Sequence, residues 1–190
     1  MQNELIVFLR SHHNIPDPDA GLIASAIERR TYHEGDYLFK AGNVCREMFF
    51  ICKGVLRVMV INEQAIEVTH FFLKQDQFCC ILNSFNNRVT GHESIQAACD
   101  AEVLVIGRKH LDELYSQLPY LKEVITQITH QGLIDKMALR NSYLGHDSTS
   151  RYKMFMDKQP LVASQVQLSD VASYLGITPQ SLSRIRKNIR

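Results

Sequence analysis

The spacing of apolar residues changes character twice along the chain, which divides it into three stretches. Near the N-terminus the spacing is helical. Leu5, Phe8 and Leu9 share one face, and residues 20–27 give a second helical stretch after the loop Pro16-Asp17-Pro18-Asp19. From residue 31 to 107 the apolar runs become short and alternating, with turns between them. Strands are expected over 37–39, 48–52, 55–61, 66–73 and 102–106. The turns are Glu34-Gly35-Asp36, Ala41-Gly42-Asn43, Lys53-Gly54 and Asn62-Glu63-Gln64. Many short strands at such spacing predict an all-β sandwich or small barrel.

Beyond Arg108 the helical period returns. A short helix carries Leu111, Leu114 and Tyr115 and ends near Leu118. Pro119 then suits the first position of a long helix over 119–144, whose apolar residues include Leu121, Val124, Ile125, Ile128, Leu133, Ile134, Met137 and Leu144. At 1.5 Å per residue it runs roughly 37 Å, more than one small barrel can cover. A second copy of the chain is the simplest partner for the uncovered stripe, although His130-Gln131-Gly132 interrupts it. A hinge-like break follows at 145–148. Ser148 or Thr149 is expected to cap a helix with Tyr152, Phe155 and Met156 inward, ended by Pro160.

The chain has 190 residues, of which 45% are hydrophobic and 22% charged, the balance of a globular protein. No apolar run reaches the roughly 20 residues of a membrane span. Met1-Gln2-Asn3-Glu4 lacks the basic start of a secretory signal, so a cytoplasmic location without membrane partners is expected. Net charge is +1, but it is unevenly placed. From Gly145 onward there are seven basic residues and three acids, net +4, while the rest has fourteen basic and seventeen acidic residues, net −3. A basic C-terminal segment suits a phosphate backbone. The five cysteines (Cys45, Cys52, Cys79, Cys80, Cys99) form no C-x-x-C pair, so a zinc site is not expected and buried thiols are.

Residues 166–187 carry the functional signal. Ser169 is expected to cap a helix with Val171, Ala172 and Leu175 inward, and Ala172 is small where two helices must cross. Gly176 supplies a left-handed turn and Ile177 plugs it. Thr178 caps a second helix with Pro179 at its first position, held by Leu182 and Ile185. Gln180, Ser181, Ser183, Arg184, Arg186 and Lys187 are left outward. This is a helix-turn-helix for double-stranded DNA. Gln180 and Arg184 are the side chains able to make bidentate contacts to bases. Ser181, Ser183, Arg186 and Lys187 suit phosphates, and Ser169, Thr178 and Pro179 complete the candidate DNA-binding set.

The succession of barrel, long helix and helix-turn-helix resembles the cyclic-AMP receptor protein/Fnr family of regulators. Three blocks carry the likeness: residues 34–42, 49–58 and, most specifically, 172–184. The resemblance implies an α+β fold: an N-terminal double-stranded β-helix (jelly-roll) barrel, a dimerisation helix and a C-terminal winged-helix-type domain. It also implies a homodimer on a two-fold symmetric site and an effector acting through the barrel, with RNA polymerase as a further partner. The family's phosphate cassette falls on residues 78–94. There Ile81 stands for the family's glutamate, Gly91 for its arginine and His92 for its serine. Without that arginine a phosphate lacks its cation, so cyclic AMP is not expected to bind in the usual way. The candidate effector pocket is Leu82, Asn83, Ser84, Arg88, Gly91, His92 and Glu93, for an unidentified small molecule with no resident cofactor. The family's iron–sulfur members place cysteines near the N-terminus, whereas this chain has none before Cys45.

The expected organisation is an effector barrel with flanking helices over 1–118, a dimerisation helix over 119–144 and a DNA-binding domain over 145–190. The function expected is sequence-specific transcription regulation. The competing reading is a ligand-sensing module that acts through protein partners. An enzyme is not expected, because no phosphate-binding glycine loop, H-E-x-x-H or G-x-S-x-G is present.

Overall fold

The computed structural model describes residues 3–189; Met1 and Gln2 of the leader reading, and Arg190 of the basic segment, lie outside them. Helices α1 (Glu4–His12) and α2 (Asp17–Ser25) precede eight strands: β1 (Glu28–Tyr32), β2 (Tyr37–Phe39), β3 (Glu47–Lys53), β4 (Val55–Ile61), β5 (Glu67–Lys74), β6 (Phe78–Cys79), β7 (Ser94–Ala97) and β8 (Ala101–Gly107). Helix α3 (Leu82–Asn87) lies between β6 and β7. The strands pair antiparallel in two four-stranded sheets, β1-β8-β3-β6 and β2-β7-β4-β5. This is the double-sheet barrel the sequence led us to expect.

Burial explains why the strands read as they do. In β3 five consecutive residues, Met48 to Cys52, are buried, because one face meets the opposite sheet and the other meets α1. Phe8 of α1 packs on Phe50 with ring centroids 5.1 Å apart. Strand β1 was not anticipated. Its sequence Glu-Arg-Arg-Thr-Tyr has no apolar alternation, and it is held by pairing with β8 and by ion pairs: Arg29 with Glu4 and Glu102, Arg30 with Glu28 and Glu47. β6 and β7 are two and four residues long, too short for a period to show.

After α4 (Arg108–Gln117), α5 (Pro119–Asn141) starts at Pro119 as expected but ends three residues earlier than expected. Leu121, Val124 and Ile125 bury against the barrel. Further on, Ile134, Met137 and Leu144 are 58%, 54% and 69% exposed, so the stripe is covered over only its first half. Gly145 at φ +77° breaks the chain direction. Helices α6 (Ser148–Lys158), α7 (Pro160–Gln165), α8 (Leu168–Leu175) and α9 (Pro179–Ile189) complete the chain.

Several local expectations are corrected. Asp147, not Ser148 or Thr149, caps α6, accepting from the backbone N–H of Thr149 and Ser150. Those hydrogen bonds hold the Asp147 carboxyl below its ordinary pKa. Met156 is exposed rather than inward, and Pro160 opens α7 rather than merely ending α6. The loop expected over residues 16–19 closes at Pro16, which caps α2. No strand occurs among the described residues 145–189, so the C-terminal unit is helical there and shows no wing.

The C-terminal helices share a core of Tyr143, Tyr152, Phe155, Val162, Val171, Ala172, Leu175, Leu182 and Ile185, which Val55, Phe72 and Ala98 of the barrel join. Alternation along β4 makes this sharing possible: Leu56 and Val58 face the barrel core, while Val55 faces the helices.

The β3–β4 turn is the tightest point of the barrel. Gly54 has φ +85°, and a Cβ there would lie 2.3 Å from the Asp100 carbonyl oxygen and 2.9 Å from Ala101 Cα. Both obstacles are backbone, so neither can swing aside. Gly54→Ala is expected to lower stability by about 2 kcal/mol or more in urea unfolding, from combined strain and clash. A wild-type midpoint would contradict this account of the turn.

Candidate nucleic-acid interface

Helix α8 begins on Gln167, not on Ser169. Gln167 holds the cap position without a side-chain cap bond, and Ser169 is an exposed first-turn residue whose hydroxyl donates to Gln167 Oε1 at 3.3 Å. Ala172, with no exposed surface, lets α9 approach closely, and Val171 and Leu175 bury beside it. Gly176 adopts φ +65°, ψ +40°. The Ile177 N–H then donates to the Ala172 carbonyl at 3.0 Å, closing the helix end.

The start of α9 is as expected. Thr178 Oγ1 accepts from the Ser181 N–H at 3.1 Å, and Pro179 is the first helical residue. Leu182 and Ile185 bury into the shared core. The opposite face presents Gln180, Ser183, Arg184 and Lys187, all exposed, with Ser181 and Arg186 half-buried. The sequence of α9 contains no acid, so its outward face is uniformly basic or neutral. A polar, cationic helix face of this kind fits a major groove.

The candidate effector residues are not brought together. Ser84 is fully buried, and its hydroxyl is used twice, accepting from the Cys45 N–H at 2.8 Å and donating to the Val89 carbonyl at 2.5 Å. Gly91 is buried, and a Cβ there would meet the Phe39 ring at 3.1 Å. Ile81, also buried, caps α3. Arg88 closes α3 in a left-handed conformation and lines an outer groove with Arg46 and Arg108. Leu82 lines a different cleft of about 400 Å³ between α1 and α5. Asn83 accepts from the Asn87 amide at 2.8 Å. His92 is exposed, and Glu93 pairs instead with His70, 3.1 Å away. His70 lies on β5, which the fold brings alongside this segment.

The cysteines pack. All five are free; Cys45, Cys52 and Cys79 are buried and the other two half-buried. Burial pushes the Cys79 thiol up to about 12 and also raises Cys80, the opposite of what a reactive thiolate needs. Among the described residues no group of three or more His, Cys, Asp or Glu could hold a metal ion, and no helix is long and apolar enough to cross a membrane.

Sequence reasoning missed the most connected polar group. Arg57, on β4, is almost fully buried under α8. Its Nε donates to Gln96 Oε1 at 2.7 Å, its Nη2 to Glu67 Oε2 at 2.5 Å and its Nη1 to Asp170 Oδ1 at 2.6 Å. Burial raises the Asp170 carboxyl, opposed by the Arg57 charge. An arginine centred in the apolar run Val55–Ile61 was the available signal, since an interior charge requires partners.

Residues 29–118 match the cyclic nucleotide-binding domain family. Electron transport regulator A of Shewanella oneidensis is 23% identical over 173 residues, covering 84% of this chain and 68% of that protein. The fumarate and nitrate reduction regulatory protein of Vibrio cholerae is 26% identical over 175 residues, with the same coverage of each chain. A solved structure described as a transcriptional regulator of the Crp/Fnr family from Eubacterium rectale superposes with TM-score 0.71 at 14% identity, covering 92% of this chain and 83% of that one. The likeness thus extends past the barrel, through the long helix and into the helix-turn-helix, and the proteins that share it over this length are described as regulators, one of them of the Crp/Fnr family.

Proposed function

We propose that this regulator acts as a homodimer, pairing through α5 and reading DNA sequence with α9. The observation that carries the DNA-reading part is the exposed face of Gln180, Ser183, Arg184 and Lys187 on a helix anchored at both Leu182 and Ile185. It favours DNA over the competing reading of a module acting through protein partners, because an acid-free cationic helix matches phosphates and base edges. The division of labour follows the three expected units: 1–118 for sensing, 119–144 for pairing and 145–190 for DNA.

The pairing surface is supported by spacing. His130, Ile134, Met137 and Asn141 recur at intervals of four, three and four along α5, a coiled-coil spacing, and two of them are exposed apolar residues noted above. Asn141 in such a seam would fix register at some cost in stability.

An effector would sit against α5 rather than in the phosphate cassette. The Gly91–Phe39 packing and the buried Ile81 support this, because neither position offers a phosphate a cation. The cleft of about 400 Å³ between α1 and α5 has apolar walls from Phe8, Phe78 and Ile128 and polar groups from His12, Gln127 and Lys136. Its size lies within the usual range for small-molecule sites. An occupant there would press directly on the pairing helix.

Arg184→Ala is expected to relax preference at one base pair and to cost about 1–3 kcal/mol in binding to a selected site, measured against single-base variants of that site. Wild-type discrimination at every position would remove the base-reading role. Lys187→Ala should instead weaken all sequences alike and reduce the slope of log affinity against log salt by about one. A Met137→Lys substitution is expected to yield monomers in sedimentation, with the barrel's secondary structure unchanged. An intact dimer would place pairing elsewhere.

A further inference from the structure

The helix-turn-helix is docked on the outer face of the β2-β7-β4-β5 sheet, and the contacts that dock it belong to its first helix. Asp170 reaches Arg57, and Ser173, one turn on, clasps the edge of β5. The Ser173 hydroxyl accepts from the Thr69 N–H and donates to the Glu67 carbonyl, each at 2.9 Å. Gln167, at the start of α8, donates to Glu34 of the barrel. Phe72 fills the space behind, with its ring 5.1 Å from that of Tyr174 and 6.4 Å from that of Phe155.

These contacts occupy the part of a helix-turn-helix that a duplex also needs. The first helix of the motif crosses the DNA backbone, and helix starts supply N–H groups to phosphates. Here the side-chain amide of Gln167, at the cap of α8, holds the Glu34 carboxylate, and Glu67 shares Arg57 with Asp170. A phosphate arriving at Ser169 meets that negative charge. The ion pair across the docking surface joins Asp170 of the C-terminal unit to Arg57 of the barrel, so what the barrel withholds from a duplex is the docked face of α8 and not the cations of α9. The base-reading face of α9 remains exposed throughout, so the restraint acts through α8 and through the direction in which α9 is held.

We infer that this docking is an autoinhibitory latch with Arg57 as its pin: the barrel holds the helix-turn-helix in a form with low affinity for DNA, and release from the sheet raises that affinity. The inference rests on the DNA-binding reading above. The hinge permits release. Gly145 has φ +77° with nothing within 4 Å of where a Cβ would lie, and residues 144–147 are exposed. Opening hydrates the buried Arg57–Asp170 pair and uncovers Val55, Phe72 and Ala98, and the hydration recovered by the two charges offsets part of that apolar cost. The latch is therefore reversible rather than a permanent weld. Observed affinity is lowered by the fraction of molecules that are closed.

A reversible lock tests this. Thr69→Cys with Ser173→Cys places two thiols across the clasp, and bridging is confirmed by mass. Binding to mixed-sequence duplex DNA is measured on the full chain before and after reduction. The oxidised form is expected to bind about tenfold or more weakly, with recovery on reduction. Equal or tighter binding when oxidised overturns the latch. Arg57→Gln supplies a second reading that does not depend on the bridge. It removes a positive charge, so charge alone would weaken DNA binding, whereas loss of the pin strengthens it several-fold and speeds proteolysis within residues 145–148. Faster proteolysis without gained affinity overturns the latch as well. If wild type, reduced double variant and Arg57→Gln all fail to bind duplex DNA, the DNA-binding reading itself falls, and the latch with it.

Discussion

Strand β4 has to serve two hydrophobic cores at once, and the arrangement of the whole molecule follows from how it does so. Successive side chains of a strand point to opposite faces. Leu56 and Val58 therefore complete the barrel, while Val55 and Arg57 look outward onto the C-terminal helices. Val55 is bounded on that side by Phe72 and Ala98, which would be exposed apolar surface without a cover. Arg57 makes the cover specific. A buried guanidinium is tolerated only when its donors are matched, and one of its matches, Asp170, lies 113 residues away in sequence. The barrel face therefore selects one face of α8 and sets the direction in which α9 points.

The long helix works under a related division. Its first half is consumed by its own barrel through Leu121, Val124 and Ile125. Its second half leaves the barrel behind and exposes apolar residues at coiled-coil spacing. Both the cleft beside α1 and the exposed stripe therefore lie on one helix. Arg140 and Lys136, on the same helix, sit over the Phe71 ring of β5, the strand that α8 clasps. The barrel, the long helix and the helix-turn-helix are connected by direct packing through β5 and α5.

Legibility in the sequence divides along the range of the interactions involved. The helix-turn-helix was readable because its determinants are local: Ala172, Gly176 and Thr178-Pro179 each act within a few residues, and the structure places them in register. The cap at Asp147 was missed by one residue because serine, threonine and aspartate compete as caps and only geometry selects among them, and that of α8 by two because Gln167 holds the position without any side-chain cap bond. Strand β1 was invisible because its stability comes from pairing with β8 and from ion pairs rather than from an apolar face. The effector residues were inferred from one contiguous segment, yet the fold disperses them between a buried turn, two separate clefts and a cross-strand pair.

The segment from Phe78 to Ser94 is ordered by its own contacts. Where the family places a phosphate-binding arginine, Gly91 admits the Phe39 ring, and Ser84 closes the α3 turn by bridging Cys45 and Val89. An apolar contact and two backbone hydrogen bonds thus do the structural part of what a bound anion would otherwise do. A segment held by its own packing does not need an anion to order it, which is why the effector proposed above is placed against α5 instead. The wall of α5 is the surface from which such a signal would reach the DNA-binding helices by the shortest chain of contacts.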